Sequence, residues 1–348
     1  MSVLVRKIGK AGRITLDRPK ALNALTHEMV RAVAAALDGW EGDPEVRAVV
    51  LDGAGERGLC AGGDIRAIRE SALGDGAWAR AFWRDEYRLN ARIARLAVPW
   101  VALMDGIVMG GGVGLSAHGS VRVVTERSRV AMPEVGIGFV PDVGGTYLLG
   151  RAPGELGTHL ALTADAMGPG DALLCGFADL FVPSADLGRL TEAVAAEGAE
   201  AVRDFARPAP DAALAEHRDW IDACYAADTV EEIVDRLQGY GEPAAKEAAE
   251  RILGHSPTSL KVTLAALRRA RSLGSLEEVL EQEWRVSLAA LASPDLPEGV
   301  RAQVVDKDRT PHWAPPALRE VTPAEVARHF ADPAEPLTLR RPVGRTGG

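Results

Sequence analysis

The sequence has few of the residues that mark secreted or metal-binding proteins. Its three cysteines, Cys60, Cys175 and Cys224, lie far apart in 348 residues. An odd and scattered set of cysteines does not indicate a disulfide framework. The chain contains neither a His-Glu-x-x-His motif nor a Cys/His spacing typical of zinc sites. We therefore expect no bound metal ion.

The sequence also lacks a long uninterrupted apolar run. The most apolar stretch, residues 100–117, is broken by Asp105 and five glycines. A membrane-spanning helix needs about 20 consecutive apolar residues, so we expect no membrane association. The first ten residues, MSVLVRKIGK, have no apolar core of the kind found in signal peptides. These absences predict a cytoplasmic protein.

Basic residues are fewer than acidic residues in this sequence. The chain has 40 Lys and Arg against 49 Asp and Glu, a formal net charge of −9. Because basic clusters supply the affinity for nucleic acid and for anionic membranes, we expect neither as a partner. A ligand with a few phosphates is still compatible with this negative net charge, since a local basic pocket can bind the phosphates. The length suggests one large domain and a smaller one.

Strand and helix signals alternate through the first half of the chain. Strands are predicted at residues 3–8, 13–17, 46–52, 98–104, 121–125 and 177–183, and helices at 26–40, 78–97 and 110–118. This alternation indicates an α/β fold with crossover connections. From about residue 186 the pattern becomes mostly helical. We therefore predict an α/β core over residues 1–185 and a helical C-terminal region over 186–348, with an extended surface tail beyond Pro333.

Three glycine-rich segments could bring backbone close to a ligand. Residues 53–58 (GAGERG) match the dinucleotide pattern G-x-G-x-x-G, but more loop follows instead of a helix, which disfavours a nucleotide site. Residues 60–65 (CAGGDI) and 109–114 (MGGGVG) remain, and the latter opens a predicted helix. Two N–H groups aimed at one point would form an oxyanion hole. Tight packing of loops is the alternative, and sequence spacing does not distinguish the two.

Two carboxylates stand in an otherwise apolar, Gly- and Pro-rich stretch. They are Glu134 and Asp142, within residues 131–145. Apolar surroundings disfavour the ionised form and so tune the pKa, which suits a general base or a nucleophile. The alternative is that Asp142 caps a helix, because Val-Gly-Gly follows it. Ser116 and His118 do not form a G-x-S-x-G elbow, and we expect them on a packed helix.

Four motifs, in order, resemble those of the crotonase (enoyl-CoA hydratase/isomerase) superfamily. They are residues 18–25 (RPKALNAL), 60–65 (CAGGDI), 110–112 (GGG) and 133–134 (PE). The resemblance implies a spiral of strand-strand-helix repeats and an acyl-CoA substrate. Further segments look like the 3-hydroxyisobutyryl-CoA hydrolase family within it, and they extend the resemblance to about Val321. These are residues 82–90, 132–145, 256–261, 298–302 and 306–308.

The resemblance also implies residue roles. The N–H groups of Gly63 and Gly111 would hold the thioester oxygen. Glu134 and Asp142 would be the reactive carboxylates, and Glu86 would line the acyl pocket. The remaining substrate-binding residues implied by the resemblance are Lys20, Ala24, Ala61, Gly62, Asp64, Ile65 and Gly110. No separate cofactor is implied, because coenzyme A is part of the substrate, and the trimers common in the superfamily suggest a homo-oligomer.

The sequence departs from the hydratase pattern at two positions. Gly114 stands where hydratases carry the first of two glutamates, and Asp142 stands where they typically carry glycine. We therefore predict an acyl-CoA thioester hydrolase, acting on 3-hydroxyisobutyryl-CoA in valine breakdown. An enoyl-CoA isomerase and a hydratase are alternatives. A non-catalytic CoA- or RNA-binding protein is another, although the acidic composition disfavours RNA and the two carboxylates disfavour an inactive site.

Overall fold

The computed structural model describes residues 2–339, and within that range the chain forms eight strands. The strands are β1 (Val3–Ile8), β2 (Ala11–Leu16), β3 (Ala48–Gly53), β4 (Trp100–Met104), β5 (Ile107–Met109), β6 (Val121–Val124), β7 (Arg129–Ala131) and β8 (Leu180–Phe181).

Helices connect these strands and make up most of the second half. Those of the first half are α1 (His27–Trp40), α2 (Ile65–Leu73), α3 (Ala77–Ile93), α4 (Gly111–Ser116), α5 (Gly145–Arg151), α6 (Leu156–Thr163) and α7 (Pro169–Leu174). Those of the second half are α8 (Leu187–Glu197), α9 (Val202–Phe205), α10 (Ala213–Glu216), α11 (Arg218–Tyr225), α12 (Val230–Gly239), α13 (Pro243–Leu253), α14 (Pro257–Ala270), α15 (Leu276–Leu291), α16 (Asp295–Val300) and α17 (Pro323–Arg328).

A six-stranded sheet organises the first half. Its order is β1-β2-β3-β4-β6-β8, and every pair after the antiparallel β1–β2 hairpin is parallel. Strands β5 and β7 form a second, parallel pair. Strand β4 is buried along its whole length, as expected for a parallel strand covered on both faces. The α/β fold predicted from the sequence is confirmed, and the short β5–β7 pair was not predicted.

Helix α1 forms as its sequence predicts. The side chain of Thr26 accepts a hydrogen bond from the Met29 N–H at 3.2 Å and so caps the first turn. The apolar side chains at helical spacing, among them Val33 and Leu37, are fully buried. Helix α2 was not predicted. This helix is only nine residues long, and Ile68 is its one buried residue.

One apolar core runs across the two halves of the chain. It joins Leu25 and Trp83 of the first half to Leu260 and Trp284 of the second. The division of the chain at about residue 185 stays a prediction. No helix within residues 2–339 is both long and apolar enough to cross a membrane.

The described part of the tail predicted beyond Pro333, residues 334–339, is mostly exposed, but two leucines anchor it to the core. Leu337 and Leu339 are buried in the core, 4% and 7% exposed. The indole N–H of Trp284 donates to the Glu335 carbonyl at 2.9 Å, which ties the tail down. Residues 340–348 of the predicted tail lie outside the described residues.

Candidate active site

A cavity of about 360 Å³ opens where the glycine-rich segments, helix α3 and residues 133–143 meet. The first half of the chain contributes most of its wall. It is lined by Ala61, Gly62, Gly63, Ile65, Ile68, Phe82, Trp83, Glu86, Met109, Gly110, Gly111, Pro133, Glu134, Gly136, Ile137, Phe139, Asp142, Val143, Ala164, His255 and Gln303. No lysine or arginine of the described chain is among these residues.

The two glycine-rich segments converge in this cavity. A parallel bridge between Cys60 and Val108 holds one segment against the other. A Cβ added to Gly111 would lie 3.5 Å from the Gly63 nitrogen. Gly111 opens α4, so its N–H has no acceptor within the helix. The Gly63 N–H donates to no backbone carbonyl within residues 2–339. Two unpaired N–H groups this close together are suited to bind the oxygen of a polarised carbonyl group, if both are directed at it.

Three carboxyl groups face the same cavity. Glu86, Glu134 and Asp142 are only 2%, 7% and 5% exposed. Glu134 begins a 3-10 turn (Glu134–Ile137), and its Oε1 lies 2.9 Å from the position of a Cβ on Gly110. Glu86 Oε1 lies 2.6 Å from the position of a Cβ on Gly111. Glu134 Oε2 and Glu86 Oε1 have no hydrogen-bond partner in the described chain. Both carboxyl groups are therefore free to act on a ligand beside the glycine N–H groups.

Burial sets the protonation of these groups. It raises the pKa of Glu134 and of Glu86 well above the ordinary value, and the nearby charge of Asp142 raises both further. Burial also raises the pKa of Asp142 to about 7, although a hydrogen bond from Tyr87 opposes the rise. A carboxyl group whose pKa lies near neutral pH, as that of Asp142 does, can exchange protons with a reacting ligand.

The substrate-binding residues implied by the resemblance divide into two groups. Ala61, Gly62, Ile65 and Gly110 line the cavity. Lys20, Ala24 and Asp64 lie outside its wall. Asp64 caps α2 and pairs with Arg18 at 3.2 Å, and Arg18 also donates to the Ala24 carbonyl at 2.6 Å. Contacts of any of these residues with coenzyme A stay predictions.

The residues that the sequence analysis set aside have structural roles. A Cβ on Gly58 would lie 2.2 Å from the Ile107 nitrogen, so this glycine of the 53–58 loop serves close packing. Ser116 is buried on α4 and donates to the Gly112 carbonyl at 2.6 Å. His118 Nε2 lies 2.7 Å from the Val143 carbonyl.

Asp142 does not cap a helix. Helix α5 starts at Gly145 with no side-chain cap, and the Asp142 carboxylate instead accepts a hydrogen bond from Tyr87. The capping alternative is therefore wrong.

Several cavity residues were not identified from the sequence. Trp83 and Phe139 stack with ring centres 5.2 Å apart and form one wall. The spacing of Phe82, Trp83 and Glu86 fits one face of a helix, and this pattern could have indicated that Trp83 lies in the cavity wall. His255 and Gln303 come from the distant second half, and no local pattern signals their position.

Converging N–H donors beside buried carboxyl groups define a site for reactions at an activated carbonyl group. The chain belongs to the enoyl-CoA hydratase/isomerase family, whose sequence pattern matches residues 11–330.

Curated relatives and solved structures place the chain within this family. Proteins named "3-hydroxyisobutyryl-CoA hydrolase, mitochondrial" from Rattus norvegicus and Homo sapiens are each 44% identical over 94% of this chain and 88% of the relative. A solved structure described as a carnitinyl-CoA dehydratase from Mycobacterium thermoresistibile is 55% identical, with a TM-score of 0.95, covering 97% of this chain and 98% of that one. An enoyl-CoA hydratase from Rhodobacter sphaeroides is 47% identical, with a TM-score of 0.89, covering 95% and 97%.

The crotonase resemblance and the fold that it implied are confirmed by these matches. The prediction of a cytoplasmic location is wrong by the same comparison, because the curated relatives from rat, human and Gallus gallus are all named as mitochondrial.

Proposed function

We propose that this protein hydrolyses acyl-CoA thioesters and that its substrate is 3-hydroxyisobutyryl-CoA, which would assign it to valine breakdown. The observation that carries the proposal is the meeting of Gly63, Gly111, Glu134 and Asp142 in one cavity. The names of the relatives from rat and human support the choice of acyl group.

In this proposal the thioester oxygen accepts hydrogen bonds from the N–H groups of Gly63 and Gly111. Attack on the carbonyl carbon places negative charge on that oxygen, and the two donors stabilise it. Glu134 either attacks the carbon directly, forming a mixed anhydride that water then cleaves, or takes a proton from the attacking water. The C–O bond forms first and gives a tetrahedral intermediate. When the C=O bond re-forms, the C–S bond breaks, and the coenzyme A thiolate leaves and takes up a proton from Asp142 or from water.

Asp142 completes this arrangement from the same wall. It either accepts a hydrogen bond from the substrate hydroxyl or hands a proton to the leaving thiolate. Its carboxyl group and that of Glu134 are both buried in the wall of one cavity, and neighbouring charges in such a site separate the pKa values of two carboxyl groups. Different protonation states allow one of them to act on the carbonyl while the other holds the substrate.

The surroundings of Gly114 disfavour hydration by two glutamates. A Cβ on this residue would lie 2.7 Å from Val143 Cβ and 2.9 Å from Asn90 Nδ2. A glutamate side chain therefore does not fit unless its neighbours move. An isomerase, which moves a proton with one carboxylate, and a hydratase remain outcomes of the test below. A homo-oligomeric state stays a prediction.

One assay separates the activities. Release of free thiol and absorbance of the conjugated alkene are followed in parallel, on 3-hydroxyisobutyryl-CoA and on an enoyl-CoA. We expect thiol release from the hydroxyacyl substrate and slow hydration of the enoyl substrate. Fast hydration without thiol release would contradict the proposed function. A shift of the double bond without thiol release would identify an isomerase instead.

A further inference from the structure

Two buried hydroxyl groups form a hydrogen-bonded chain that ends at the Asp142 carboxylate. Tyr87 Oη donates to Asp142 Oδ2 at 2.7 Å, and Ser287 Oγ lies 2.8 Å from Tyr87 Oη. Tyr87 and Ser287 are fully buried. Because a charged carboxylate only accepts hydrogen bonds, the Tyr87 proton points to Asp142 and the Ser287 hydroxyl donates to the Tyr87 oxygen. The three groups form a directed chain from helix α15 to the cavity.

Helix α15 supports both sides of Asp142. Glu283 and Ser287 stand one turn apart on this helix and therefore on one face. Glu283 accepts hydrogen bonds from the Gly144 N–H at 2.6 Å and from the Thr146 N–H at 2.9 Å, which fixes the backbone that follows Asp142. Ser287 reaches the carboxylate itself through Tyr87. The second half of the chain thus positions a side chain of the first.

The loop that carries Asp142 needs this support. Val143 has a φ of +52°, a left-handed conformation that is strained for a β-branched residue. Such a conformation persists only where the surroundings impose it. His118 contributes from the far side, with its Nε2 2.7 Å from the Val143 carbonyl.

Within residues 2–339, no cationic side chain lies beside the Asp142 carboxylate. The titratable groups that face it are Glu86 and Tyr87 from α3, Glu134 from the 3-10 turn and Glu283 from α15. His118, beside the next residue, is neutral near pH 7 because burial lowers its pKa to about 4. The Tyr87 hydroxyl is the side-chain donor to Asp142 in the described chain. The ionised form of Asp142 is thus supported by this hydroxyl group and by a backbone hydrogen bond of Asp142, and Tyr87 makes the larger contribution of the two.

We propose that Tyr87, aligned by Ser287, is a positioning residue that orients the Asp142 carboxylate toward the cavity and supports its charged form. This inference rests on the proposed function, in which the charged carboxylate accepts a hydrogen bond from the substrate hydroxyl. Tyr87 itself points away from the cavity, since it follows Glu86 directly on α3 and its ring packs edge-on against Trp284 at 6.3 Å.

The first test compares pH profiles of thiol release from 3-hydroxyisobutyryl-CoA. Tyr87→Phe keeps the ring and removes the hydroxyl. We expect kcat to fall on the order of 10- to 100-fold, the range for losing a hydrogen bond to a charged group. The acid limb of kcat/KM should move up by about one to two pH units. Ser287→Ala should give a smaller change in the same direction.

Tyr225→Phe is the matched control. Tyr225 is also fully buried, and its hydroxyl lies 2.9 Å from His159 Nδ1, away from the cavity wall. We expect its profile to equal that of the unmodified protein. If the pH profile of kcat/KM for the Tyr87→Phe variant equals that of the unmodified protein, the proposal is overturned. A shift of the alkaline limb alone would also overturn it, because Asp142 would then act in its neutral form.

The second test needs no turnover and so separates this inference from the proposed function. The loss of unfolding free energy caused by Tyr87→Phe is measured at about pH 5.5 and 8.5, alone and in an Asp142→Asn background. We expect a larger loss at the higher pH, where Asp142 is charged. In the Asp142→Asn background a neutral amide replaces the carboxylate, so we expect no such pH dependence there. Equal losses at both pH values would overturn the inference even if thiol release is observed.

Discussion

Replacing Gly111 by alanine should remove the oxyanion hole while leaving the fold intact. The added methyl group would lie 3.5 Å from the Gly63 nitrogen and 2.6 Å from Glu86 Oε1. A bound oxyanion must lie about 2.7–3.1 Å from each of the two N–H donors. The added methyl group takes up space beside both donors, so we expect it to keep the oxyanion from reaching them. Losing one such donor costs on the order of 10²–10³ in kcat, or about 2.7–4 kcal/mol.

The variant should fold because its backbone already suits alanine. Gly111 lies in α4 outside the left-handed region, and the two closest neighbours of the added Cβ, Glu86 Oε1 at 2.6 Å and Leu25 Cδ1 at 3.0 Å, are ends of flexible side chains that can shift. Gly39→Ala in α1 is the control, since nothing lies within 4 Å of its added Cβ. Thiol release and thermal melting are measured for both variants. A Gly111→Ala protein that melts normally and keeps its full kcat would mean that the converging glycines serve packing alone.

Four further outcomes are expected. Glu134→Gln should lower thiol release at least about 100-fold in steady-state assays, the lower end for acid–base catalysis, whereas exposed Glu70→Gln should not. Asp142→Gly should abolish thiol release while calorimetry finds coenzyme A affinity changed much less. The melting temperature should fall from about pH 5 to 8, because the folded protein keeps protons on Asp142 and Glu283, whose pKa values burial raises to about 7 and about 8; a rise over that range would contradict the assigned burial. Exhaustive chelation should leave activity unchanged, and a loss restored by a divalent ion would refute the metal-free interpretation.

Local patterns in the sequence determined much of the fold. The Thr26 cap and the apolar spacing of α1 both predict that helix, and the structure has it at His27–Trp40. The strands at residues 3–8 and 98–104 have the short apolar runs expected of sheet strands, and they form β1 and β4. These elements were predictable because their stability comes from capping and periodic burial, which neighbouring residues encode. Helix α2 and the β5–β7 pair were missed because they are short: α2 has nine residues, and β5 and β7 have three each.

The sequence also indicated the residues to which we assign the chemistry, and the tertiary structure decided which of them lie in one cavity. Glu134 and Asp142 were identifiable because carboxylates in apolar stretches have perturbed pKa values. That Gly63 and Gly111 face one point depends on the Cys60–Val108 bridge, which no spacing reveals. The hydrogen bond between Tyr87 and Ser287, next to Asp142, joins residues that are 200 positions apart in the chain. Contacts between distant segments form only when the core packs, so only the folded chain shows them.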